Sequence, residues 1–282
     1  MDFFLFCLLN VVLFLRPAEL VTSLAGLPIY MCVLLLAVAA SFPQMIRKLQ
    51  VKDLLANPIN LCVLGLLIAV PLSHMRHLDL WSARHSFMAF GKTALYYLLF
   101  ISVIRNERRL DLFFKLLLVL IGCMTALSLL HHHEVIYLPQ LDSLEQRDIN
   151  TETGERIAYS RLQSTGIFND PNDFAMILVI GIILGWQFLS QGNFVSKFLW
   201  LGFLAAFAYA LFLTKSRGGF LALFLACGFY SYAKWGWRRA ALIGALLLPV
   251  VAAGFAMRND GGLESGTGQS RLQLWAEGFS EG

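Results

Sequence analysis

The run NDFAMILVIGIILGWQFL, residues 172–189, decides the fold. After Asp173 no charged side chain or histidine occurs until Lys197. As a helix this run rises about 27 Å, close to the roughly 30 Å of bilayer hydrocarbon. A barrel strand spans with about 9–11 residues and alternates apolar with polar positions. This run is longer and does not alternate. In lipid the backbone must satisfy its own hydrogen bonds, so the run is read as a membrane helix.

Working outward, comparable apolar runs fall at about 3–15, 28–42, 58–73, 87–104, 110–130, 197–213, 218–233 and 239–257. Together they predict an all-α, polytopic transmembrane bundle of about nine spans over residues 1–257, with an outer loop at 131–171. Composition agrees. Of the 282 residues 58% are hydrophobic and only 14% are charged. A soluble domain carries roughly 25% charged residues. Disorder, a nucleic-acid-binding role and a soluble α/β enzyme are therefore excluded as readings. The first run lacks a basic stretch before it and a small-residue cleavage site after it, so it reads as a short first span and not a signal peptide. Gly181 and Gly185 form a GxxxG pair that lets a neighbouring helix approach closely.

The connections alternate in charge. One set is short and basic: Arg47, Lys48 and Lys52; Arg105, Arg108 and Arg109; Lys197; Lys234, Arg238 and Arg239. The positive-inside rule places this set in the cytoplasm. The segments near 16–27, 72–86, 131–171, 214–217 and 258–282 then face outward. The loop 131–171 is polar, with room for one interfacial helix. Asp260 to Gly268 reads as a linker. Ser270 and Gln273 then resemble a capping box, and Leu272, Trp275 and Phe279 share one face of a surface helix. The chain stops at Gly282 within that pattern, so residues 258–282 are expected to open a longer outer loop in a truncated chain. The cysteines Cys7, Cys32, Cys62, Cys123 and Cys227 all lie in apolar runs without CxxC spacing, as small hydrophobes do.

Two outer segments concentrate polar chemistry. Residues 161–173, RLQSTGIFNDPND, lead into the quoted run. Asp170 suits an N-cap, Pro171 the first helical turn, and Asp173 the positive helix end. A well-capped helix start accounts for the segment. So does a polar cluster of Arg161, Asn169, Asn172 and Asp173, in which the acids orient an arginine. Residues 214–219, TKSRGG, make an abrupt turn between two spans and hold Lys215 and Arg217 at membrane depth. Cations beside exposed helix N–H groups favour phosphate, and an arginine fork binds phosphate oxygens in pairs. Headgroup snorkelling is the competing reading. Arg271 is either a solvated first-turn residue or a second phosphate contact. His131, His132 and His133 are adjacent, which does not match the i, i+4 spacing of a zinc helix. They read as a polar helix end, and no metal site is expected.

Three motifs thus stand in order: R-x4-G-I-F-N-D-P-N-D-F-A from Arg161, T-K-S-R-G-G from Thr214 and S-R-L-Q-L-W from Ser270. With Leu15-Arg16-Pro17-Ala18-Glu19-Leu20 and Gly26-Leu27-Pro28, the set resembles the O-antigen ligase and polymerase superfamily of bacterial inner-membrane proteins. The resemblance extends over essentially the whole chain. It implies a multi-pass inner-membrane protein with large periplasmic loops. It implies transfer of a glycan from an undecaprenyl-pyrophosphate carrier to an acceptor hydroxyl, such as that of the lipid A core, without a cofactor. It further implies that Arg217 and Arg271, with Lys215 beside them, hold the donor pyrophosphate, and that Arg161, Asn169 and Asn172 shape the pocket. The family's candidate base is a histidine in a later periplasmic loop that has no counterpart in this chain, so the catalytic residue is unknown. A polysaccharide polymerase of the same superfamily is the first alternative. A membrane transporter, as in bicarbonate-type relatives, is another, and so is a non-catalytic assembly partner.

Overall fold

A computed structural model describes residues 1–20, 22–24, 26–75, 79–141, 146–149, 156–159, 161–256 and 275–276. The helices are α1 (Asp2–Leu15), α2 (Pro17–Leu20), α3 (Ile29–Lys48), α4 (Val51–Ala56), α5 (Pro58–Met75), α6 (Leu80–Val103), α7 (Glu107–His132), α8 (Pro171–Gln191), α9 (Phe194–Thr214), α10 (Arg217–Trp235) and α11 (Trp237–Ala256). Each predicted apolar run falls on one of the long helices. Seven helical segments among the described residues are long and apolar enough to cross a membrane, and neither α10 nor α11 is one of them. In α10 the polar ends dilute the run, with Arg217 at its start and Ser231, Tyr232 and Lys234 near its close. The first span gains length by continuing past Arg16 (φ 42°) into α2, so the segment Asp2–Leu20 qualifies.

Two expectations about the loops change. The segment 72–86 is mostly helix, because α5 runs to Met75 and Asp79 caps α6, accepting from Ser82 N at 2.9 Å. The loop 131–171, read as having room for one interfacial helix, holds two short antiparallel strands among its described residues: β1 (Gln146–Ile149) pairs with β2 (Arg156–Tyr159), Arg147 opposite Ala158. Of 258–282 only Trp275 and Ala276 are described, both helical, so the rest of the expected surface helix lies outside the described residues.

The chain divides into two compact units, Met1–Leu116 and Leu117–Gly282. In the first, α1 packs on α3 and α6, and α5 packs on α6. The Phe6 ring lies against Tyr96, Phe100 and Phe113, with Leu9, Leu99 and Val103 buried around it. Asn10 is buried there too. Its Nδ2 donates to Phe6 O at 2.8 Å, and its Oδ1 accepts from the Tyr96 hydroxyl at 2.6 Å. An amide in an apolar interior is tolerated only when it is bonded in this way. Asp2 accepts from both Arg105 and Arg109, which ties the start of α1 to the basic α6–α7 connection.

In the second unit α8 packs on α9 and α10, and α10 packs on α11. The GxxxG pair performs as expected. A Cβ at Gly181 would lie 3.0 Å from the Phe207 ring, and one at Gly185 would lie 3.2 Å from Leu204, both on α9. Gly219 serves the α8–α10 contact in the same manner. A Cβ there would sit 2.7 Å from Ala175 Cβ.

Candidate functional site

The site is assembled where α8 begins, α9 ends and α10 begins. Local chemistry sets each boundary. Asp170 Oδ1 accepts from Asn172 N at 2.6 Å and caps α8, with Pro171 in the first turn as expected. Lys215 ends α9 in the left-handed conformation, φ 49°, and its N–H donates to Phe212 O. Ser216 then caps α10, its Oγ accepting from Gly219 N at 3.2 Å. Lys215 and Ser216 are thus the whole connection between two long helices.

Arg161 locks this turn to α8. Its Nε donates to Thr214 O at 2.8 Å, and one Nη donates to Asn172 Oδ1 at 3.0 Å. Ser216 Oγ donates to the same Asn172 oxygen at 2.9 Å. Leu162 N donates to Leu213 O at 3.1 Å, so the strand of chain leading from Arg161 lies along the end of α9. Arg161 is only 4% exposed. Among the described residues the partners of this arginine are not the nearby acids Asp170 and Asp173. Asp170 is occupied as a helix cap, and an amide oxygen and a backbone carbonyl hold the guanidinium.

The predicted residues therefore separate. Arg161 and Asn172 come together, joined by Thr214 and Ser216. Asn169 and Asp173 are exposed, and neither is bonded to that network among the described residues. Lys215 and Arg217 are half-buried and flank Ser216 at the mouth of the turn. Arg271 lies outside the described residues.

Beside this network a cavity of about 470 Å³ opens at the end of α7. Ser128, His131, His132 and Glu134 line it from α7 and its end, Tyr137 from the following turn, and Arg161 from the facing loop. Leu141 and Leu162 supply apolar wall. Leu138 N donates to His131 Nδ1 at 3.2 Å, and the His131 and Tyr137 rings lie 6.0 Å apart. Glu134 takes φ 58°, an uncommon conformation for a side-chain-bearing residue, and this folds Tyr137 back toward His131. The Ser128 hydroxyl is buried and has no hydrogen-bond partner among the described residues. Sequence spacing did not single out this cavity. The histidines read as a polar helix end because the facing wall of the cavity comes from residues 161–163, outside any local pattern.

Among the described residues no group of three or more His, Cys, Asp or Glu is placed to hold a metal ion. Comparison of the chain with protein-family models, curated proteins and solved structures finds no match.

Proposed function

We propose that this chain belongs to a glycan-transfer enzyme of the O-antigen ligase type. In this reading it takes the glycan from an undecaprenyl-pyrophosphate carrier at the periplasmic face of the bacterial inner membrane and passes it to an acceptor hydroxyl, such as that of the lipid A core. The observation that carries the reading is the turn Lys215–Arg217. Two half-buried cations flank the N-terminus of α10, over a base fixed by Arg161, Asn172 and Ser216. A pyrophosphate needs cations and directed N–H groups at the membrane interface. A polyprenyl tail needs an apolar surface next to them. Leu221, Leu225 and Phe229 continue from Arg217 at four-residue steps, and each is exposed. Residues four apart lie on one helix face, so this stripe runs into the bilayer directly below the arginine.

The chemistry follows from the donor. The acceptor oxygen attacks the anomeric carbon, the bond to the pyrophosphate oxygen breaks, and the acceptor proton leaves to a base. Lys215 and Arg217 stabilise the negative charge that grows on the departing pyrophosphate. Arg271 would add a second arginine.

The test is Arg217→Ala in cells whose surface glycan depends on the full-length protein. Loss of glycan transfer, with the variant still inserted at normal abundance, supports the reading. Normal transfer by that variant sinks it. Uptake of a solute by proteoliposomes without any lipid-linked sugar would favour a transporter instead.

A further inference from the structure

We propose that the end of α10 opposite the Lys215–Arg217 turn, together with the start of α11, binds the phosphate of an anionic phospholipid. The proposal does not rest on the transfer reading above. The first observation is uncompensated charge. Lys234, Arg238 and Arg239 fall within six residues, and no Asp or Glu occurs between Asp173 and Asp260. All three cations are exposed. None of them pairs with a carboxylate among the described residues. In the first unit, by contrast, Lys48 pairs with Asp53, and Arg105 and Arg109 pair with Asp2. Like charges crowded in this way repel one another, and an anion seated among them relieves the repulsion.

The second observation is a fixed ammonium. A free lysine side chain samples many rotamers, but Lys234 is held. Its Nζ donates to Ser190 Oγ at 3.0 Å and to the Tyr230 hydroxyl at 3.1 Å. It also lies 5.4 Å from the centroids of both the Tyr230 and the Trp235 rings. Those two rings pack with Trp186 of α8, centroids 5.9–6.3 Å apart. An ammonium has three N–H donors, so one remains for a ligand oxygen. The Arg238 guanidinium lies 5.8 Å from the centroid of the Trp237 ring, which leaves its fork of N–H groups to phosphate oxygens. The third observation assigns the phosphate to a lipid. Leu242 and Leu246 follow Arg238 at four-residue steps, and both are exposed. They share one face of α11, an apolar row continuing from the arginine on which an acyl chain can lie. Trp237, also exposed, is of the residue type enriched at the membrane–water interface. A free phosphate would engage the cations and leave this row uncovered.

The experiment is native mass spectrometry of the full chain, released from a mild detergent. It is titrated with phosphatidylglycerol and, separately, with phosphatidylcholine, each with and without inorganic phosphate. The expected result is that phosphatidylglycerol binds about ten-fold or more tightly than phosphatidylcholine, and that an equal concentration of phosphate does not displace it. Lys234→Gln and Arg238→Gln should each weaken that binding about five-fold, as the loss of one cation beside an anionic headgroup predicts. Arg47→Gln, at the basic end of α3, is the control and should leave it unchanged. Thermal unfolding checks that the variants are folded. Arg238→Gln alters only an exposed side chain, so it serves even where Lys234→Gln loosens the α8–α10 packing. Equal binding of the two lipids overturns the proposal. So does an equal loss in Arg47→Gln and Arg238→Gln, which would mean diffuse attraction to any basic segment. Displacement by inorganic phosphate overturns it by assigning the cluster to a free anion. Binding that survives both Lys234→Gln and Arg238→Gln overturns it by placing the lipid elsewhere. Glycan transfer by Arg217→Ala bears on none of these outcomes, so each reading can fail alone.

Discussion

Arg161 Nε donates to the backbone carbonyl of Thr214, 53 residues further along the chain, at 2.8 Å. The last turn of a helix leaves carbonyls without intrahelical partners. Here a buried guanidinium supplies a donor at the end of α9 and, through Asn172, ties that end to α8. The arginine holds the turn that carries Lys215 and Arg217.

Arg161→Met is therefore expected to destabilise the second unit. It removes charge-assisted bonds and leaves the Thr214 carbonyl and the Asn172 amide short of donors, at about 2–4 kcal/mol in total. Arg161→Lys should recover only part of this, because an ammonium cannot reproduce the planar fork. Thermal unfolding in detergent reads the difference. A variant as stable as the parent would show that the clamp contributes nothing.

Gly219→Ala tests the close approach of α10 to α8. The new methyl would meet Ala175 Cβ at 2.7 Å, and neither group has a torsion to turn aside. Overpacking of this kind costs about 1–3 kcal/mol. Gly228→Ala, where nothing lies within 4 Å, is the control and should be neutral or slightly stabilising. Equal stability of the two variants would contradict the packing described.

Tyr96→Phe leaves the buried Asn10 Oδ1 without its hydroxyl donor. Side-chain hydrogen bonds between membrane helices contribute about 0.5–2 kcal/mol, so a loss in that range is expected in the unfolding midpoint. Combining Tyr96→Phe with Asn10→Leu should restore part of it, since the orphaned oxygen is then gone.

The cap of α6 predicts a pH dependence. Hydrogen bonds from Ser82 hold the Asp79 carboxyl below its ordinary value of 3.8. A folded-state pKa below the unfolded one means that the cap stabilises above about 3.8 and is lost as pH falls through the lower folded value. Relative to its intrinsic exchange rate at each pH, the Ser82 amide should lose protection across that acidic window. Asp79→Ala should show that amide unprotected at every pH.

The long helices were legible because lipid leaves apolar runs few alternatives. The Asp170–Pro171 start of α8 was legible because capping is local chemistry. What depended on distant partners was not. Arg161 read as a pocket residue beside nearby acids, and its reach to Thr214, 53 residues away, has no local signal. His131 and His132 read as a polar helix end, and the cavity they share with Arg161 exists only once the 161–163 segment folds against α7. The strands of the loop 131–171 were hidden for another reason. The loop's polar composition does not distinguish a surface helix from the short pairing of β1 with β2. Seven helical segments among the described residues qualify by length and hydropathy against nine apolar runs, and in α10 the difference lies in what the ends of the run contain. Arg217 and Lys234 lie within α10 itself.

Two residues join α9 to α10, and one of them sits in a left-handed turn. So short a tether leaves no slack for one helix to enter a bilayer and wait for the other. In the orientation proposed above, both must be inserted together as a hairpin, with Lys215 and Arg217 carried through the hydrocarbon at its tip. Translocon scales put each such charge at about 2.5–3.5 kcal/mol at mid-membrane. The apolar flanks of the hairpin would have to offset that crossing, so the cations proposed to hold the pyrophosphate would also make biogenesis of the turn the demanding step.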